Sequence, residues 1–154
     1  MAEETTTDQN KYQKQIDAWT SYTYYLVAVD GLLHATQGIC ATSLKGKEDT
    51  LKKVVAAFTA AHDALDEVDK LFREGIARMK DGKAPEHPLE PAPVPKWDTK
   101  PTSTDIFTGT WETIKVTLEQ VMTKVGSGSA MATTILGLAN AGETCTKVIA
   151  EAFK

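Results

Sequence analysis

Residues 48–80 read EDTLKKVVAAFTAAHDALDEVDKLFREGIARMK. Leu51, Val54, Phe58, Ala61, Leu65, Val68 and Phe72 recur in alternating steps of three and four, while Lys, Asp and Glu fill the opposite face. Such spacing keeps the apolar side chains on one stripe of an α-helix, which must then be buried against a neighbour. Glu48 and Asp49 suit the positive end of the helix dipole.

Upstream, a longer helix is expected from about Asp8 to Leu44. Ile16, Trp19, Thr23, Leu26, Asp30, Leu33, Gln37 and Cys40 follow the same alternation. A second stripe of Tyr22, Tyr25, Val29, Leu32 and Ile39 is apolar too, so this helix wants neighbours on more than one side. Lys45, Gly46 and Lys47 close it, glycine tolerating a left-handed cap. A turn this short between long helices implies an antiparallel hairpin.

Downstream, DGKAPEHPLEPAPVPKWDTKP (residues 81–101) holds all six prolines of the chain. Prolines this dense forbid helix and favour extended backbone. The segment reads as a linker or a strap laid across the bundle, with Trp97 suited to pin it. Pro88 and Pro91 form a PxxP unit, a pattern common in any proline-rich spacer. Helix resumes near Ser103 or Thr104, where a hydroxyl precedes Asp105. Phe107, Trp111, Ile114, Leu118, Val121 and Val125 form its seam. GSGS at 126–129 reads as a tight turn, with Ser129 capping a last helix from Ala130 to about Phe153.

The expected fold is therefore all-α: one domain, an antiparallel bundle of about four helices. Residues 8–80 form a long hairpin, 81–101 the proline-rich connection and 103–154 a second hairpin. A length of 154 residues suits a single core. The net charge of -4, with Arg73 and Arg78 the only arginines, argues against a nucleic-acid partner. MAEETTTDQN has neither the basic n-region nor the apolar h-region of a cleavable signal peptide. The expectation is a cytoplasmic chain, or one exported by a route that reads no such signal. Cys40 and Cys145, each in an apolar helical stretch, read as buried thiols.

Chemistry-bearing patterns are sparse. Asp30 and His34 lie four apart in an otherwise apolar stretch. A carboxylate beside an imidazole can orient a base or a metal ligand, but the pattern is read here as a structural pair with no metal. His62, Asp63, Asp66 and Glu67 read as a solvated helix face, because carboxylate-bridged di-metal bundles need Glu-x-x-His pairs and the chain has none. There is no Gly-x-Ser-x-Gly elbow and no phosphate loop. No catalytic residue and no cofactor are expected.

Residues 125–142, VGSGSAMATTILGLANAG, carry no charge and are rich in small side chains. Small residues let helices approach closely, so Ala132, Leu138, Ala139 and Ala141 are expected to form a contact surface. A membrane span needs about 20 strongly apolar residues; Ser, Thr, Asn and Gly dilute this run, so membrane insertion is possible but not favoured. Geometry adds a motive for assembly. The first two helices would each span about 50–55 Å at about 1.5 Å per residue, and the shorter pair would cover only about two-thirds of that. The functional expectation is a non-enzymatic assembly or interaction protein, its partner itself or another helical protein. The alternatives are a membrane-active helical protein exported without a cleaved signal, and a ligand- or metal-binding bundle using Asp30 and His34.

Overall fold

A computed structural model of the chain describes residues 11–92, 104–126 and 128–154. Among them the secondary structure is helical, with no strand: α1 Gln13–Ser43, α2 Glu48–Lys80, α3 Thr104–Val125 and α4 Ala130–Ala152. The expected bounds of α2 are met, and α3 begins at Thr104. α1 starts at Gln13 rather than near Asp8; residues 1–10 lie outside the described residues, as do 93–103, with the expectation for Trp97.

Local chemistry sets the ends. Leu44 and Gly46 turn the chain between α1 and α2, Gly46 at φ 85° and Gly126 likewise at φ 85° after α3. A Cβ at either position would meet the strain of left-handed backbone. Ser129, in extended conformation, accepts a bond from the Ala132 amide at 3.1 Å and so caps α4. The helix is thus broken between Gly126 and Ser129, whose amide donates to the Gly126 carbonyl at 3.0 Å, and α3 and α4 are separate helices.

The helices form a four-helix bundle in which α2 packs along both α1 and α4, α3 packs along α4, and α1 meets α3 only lightly. Within the first hairpin, Trp19 meets Phe72 edge-on at 5.3 Å and Tyr22 stacks on the same ring at 5.5 Å. Phe58 of α2 meets Phe107 of α3 at 5.4 Å, joining the two hairpins. Phe58, Leu65, Val68, Phe72, Trp111, Ile114, Leu118 and Val121 are all buried, as their seams predict. Leu51, Gln37 and Ile39 are only half-buried, at the margins. The buried hydroxyls find partners within their own helix: Thr36 donates to the Leu32 carbonyl at 2.8 Å and Thr23 to that of Thr20 at 2.7 Å.

Two glycines are fixed by tryptophans. A Cβ on Gly75 would stand 2.5 Å from the Trp19 ring, and one on Gly142 1.8 Å from Trp111. Trp111 fills the space that the small residues of α4 leave, and its Nε1 donates to the Ala139 carbonyl at 3.2 Å.

From Asp81 to Ala92 the chain is not helical. Leu89 is buried, and its backbone is gripped by one side chain: its amide donates to Gln15 Oε1 at 2.8 Å, and Gln15 Nε2 donates to its carbonyl at 3.1 Å. This part of the connection is laid against α1.

Candidate functional site

Between Ala18 and Leu44, Asp30 is the only acidic or basic side chain of α1 apart from His34. The helix is apolar on its inner flanks, where Trp19, Tyr22, Leu26, Val29, Leu33 and Cys40 are buried. Its outer stripe carries little charge either. Tyr24, Val27, Gly31, His34 and Gly38 follow one another in steps of three and four, and Tyr24 is 71% and Val27 61% exposed. A Cβ at Gly31 or Gly38 would meet nothing within 4 Å. The chain's own packing therefore does not require glycine at either position, although each costs about 1 kcal/mol in a helix interior. Val55 of α2 borders this face: it lies on the same stripe of α2 as His62, which contacts Asp30, and it too is exposed.

Asp30 sits at the boundary of α1 and α2. The antiparallel hairpin brings His62 opposite it, and His62 Nδ1 lies 2.7 Å from Asp30 Oδ1. A carboxylate only accepts, so the imidazole donates. The other carboxylate oxygen, Oδ2, lies 3.4 Å from His34 Nε2. The two imidazole rings face one another at 4.1 Å between centroids, tilted by 35°. The cluster grades from solvent inward: the side chains of His34, Asp30 and His62 are 66%, 37% and 18% exposed. His62 Nε2, on the far side of its ring, is buried and makes no hydrogen bond among the described residues.

The pair expected from sequence is thus present, but its geometry is not that of a self-contained pair. The close partner of Asp30 is His62, on the neighbouring helix, and His34 is the looser, outer member. By its neighbours in sequence, His62 reads as part of a solvated face with Asp63, Asp66 and Glu67. Asp63, Asp66 and Glu67 are exposed, whereas His62 is half-buried.

The candidate contact residues of α4 are placed differently from the expectation. Ala132, Leu138 and Ala139 are fully buried in the chain's own core, and only Ala141 is half-buried. The reason is Trp111, which occupies the hollow these small residues make. Exposed on the other side of α4 is Leu136.

Other ionisable groups are accounted for locally. Lys115 donates to Glu143 at 2.6 Å across α3 and α4, which raises the lysine pKa and lowers that of the glutamate, each chiefly through this hydrogen bond. Cys40 and Cys145 are free and buried. Burial raises both thiols; that of Cys145 is pushed up to about 12, with the neighbouring Cys40 adding to the effect. Neither offers a thiolate nucleophile at neutral pH. Among the described residues no helix is long and apolar enough to cross a membrane. Comparison with protein families, curated proteins and solved structures finds no match to this chain.

Proposed function

We propose that this is a non-enzymatic assembly protein that associates with a second copy of itself through the outer face of α1. The observation that carries the reading is the exposure of Tyr24 and Val27 on a helix with a single acidic side chain between Ala18 and Leu44. A helix apolar on all sides is ordinarily covered on all sides. Here α2 and the core take the inner flanks, and nothing among the described residues covers the outer one.

The choice of a second copy rests on charge and shape. The chain carries a net charge of -4, so two copies carry a mild overall repulsion. The outer stripe of α1 is where that repulsion is weakest. A two-fold contact pairs one patch with itself and therefore suits a face without a strong sign of its own. Gly31 and Gly38 flatten the stripe where no intramolecular packing needs them, so a second helix can come close.

Size-exclusion chromatography with light scattering tests the proposal over a range of concentrations. The chain is expected to run as a dimer or larger species, and Val27→Glu to run as a monomer with unchanged helical circular dichroism. A wild-type chain that stays monomeric at millimolar concentration, or a Val27→Glu chain that assembles as before, would overturn it.

A further inference from the structure

We propose that Asp30, His34 and His62 form a binding site for one divalent first-row transition-metal ion, with zinc the representative case. The site needs only side chains of one copy, although His34 also lies on the outer stripe of α1 proposed for self-association. The donor set itself is the starting point. Two imidazoles and one carboxylate, from two helices, have potential ligand atoms no more than 4.8 Å from one another. Two histidines with one carboxylate is a ligand set that holds zinc with an open fourth position, and imidazole selects transition ions over magnesium and calcium.

Charge supplies the second argument. Asp30 lies on the inward-facing seam of α1, partly withdrawn from water, yet among the described residues no lysine or arginine pairs with it; its partners are the two imidazoles. With both imidazoles neutral, the cluster carries an uncompensated negative charge. A cation between the three side chains removes that imbalance. An apolar seam gains nothing from an aspartate unless something pairs with it.

Geometry decides which part moves. In a tetrahedral zinc site with bonds of about 2.0–2.1 Å, ligand atoms stand about 3.3–3.4 Å apart. Asp30 and His62 are already held together at 2.7 Å between Oδ1 and Nδ1. His34 is the most exposed of the three, so its side chain is free to swing and close the site. On binding, the ion takes the lone pair on Nδ1 that is freed as the single ring proton of neutral His62 moves to Nε2. That nitrogen has no partner to orient it, and a missing outer partner ordinarily lowers metal affinity about 10–100-fold. Binding is therefore expected to be weaker than at a site with a complete outer shell, with water or another ligand in the fourth position.

The test uses the full chain, stripped with chelator and titrated with zinc by calorimetry, with cobalt absorption as a report on coordination. One zinc per chain is expected, magnesium producing no signal, and bound cobalt showing the intense visible bands of a four-coordinate ion. His34→Ala alters an exposed side chain and should leave the fold intact by circular dichroism while weakening zinc at least about tenfold. Asp30→Asn should do the same, whereas His87→Ala and Val27→Glu should bind as the wild type does. Absence of zinc binding by the folded wild-type chain would overturn the proposal. So would binding that survives both His34→Ala and Asp30→Asn. Loss of assembly in Val27→Glu with zinc binding retained would show that the two proposals stand or fall separately.

Discussion

Trp111 explains the composition of α4 better than any requirement on its surface. Its ring lies where a Cβ on Gly142 would stand at 1.8 Å, and its Nε1 holds the Ala139 carbonyl. Gly142→Ala should therefore be destabilising even though alanine is the better helix former, because the overpacking cost of about 1–3 kcal/mol exceeds the propensity gain of about 1 kcal/mol. Chemical denaturation of the variant measures this, and a chain made more stable by the change would show that Trp111 sits elsewhere. The thiols permit a second check. With Cys145 pushed up to about 12 by burial, almost none of it is thiolate at pH 8, and Cys40 is raised in the same direction. Both should resist a thiol-specific reagent in the native chain and react once it is denatured. Rapid native labelling of either would contradict their burial.

At the level of helices, the break between α3 and α4 depends on Gly126 and the Ser129 cap. Ser129→Ala removes the acceptor for the Ala132 amide and should cost about 0.5–2 kcal/mol, read as a lower denaturation midpoint without loss of folded helix content. An unchanged midpoint would mean that packing alone fixes the start of α4. This break was legible in the sequence because glycine, serine and an interrupted seam all occur within a few residues. The bounds of α2 were legible because Leu51 to Phe72 keep their alternation without a miss. What the sequence concealed are relations between helices. The small residues of α4 signal close approach, but not whether the approaching group is another chain or Trp111. His62, surrounded in sequence by Asp63, Asp66 and Glu67, reads as exposed. Only the antiparallel register reveals it as the partner of Asp30, because the two are nearly equidistant from the turn at Leu44 to Lys47. The short turn makes that register readable, whereas spacing within α1 alone carries no information about a partner on α2.

For the molecule as a whole, the question is whether two hairpins joined by a proline-rich connection unfold as one body or as two. The packing favours one. The buried side chains form a single cluster running from Ile16 to Ile149, and Phe58 of the first hairpin meets Phe107 of the second. Phe107 in turn packs on Trp111 at 5.9 Å, so the aromatic contact continues into the second hairpin. Neither hairpin keeps its seam covered without the other: α2 is packed against both α1 and α4. Phe72→Ala in the first hairpin and Leu118→Ala in the second should each cost about 2–5 kcal/mol, the range for emptying a large buried site. Each should lower one common transition rather than split it in two. In a Trp97→Phe background, Trp19 and Trp111 report on opposite hairpins, so fluorescence and circular dichroism should give the same midpoint and the same denaturant dependence. If Phe72→Ala shifted the Trp19 signal and left that of Trp111 at its original midpoint, the hairpins would be separate folding units. The contact between Phe58 and Phe107 would then be too weak to couple them.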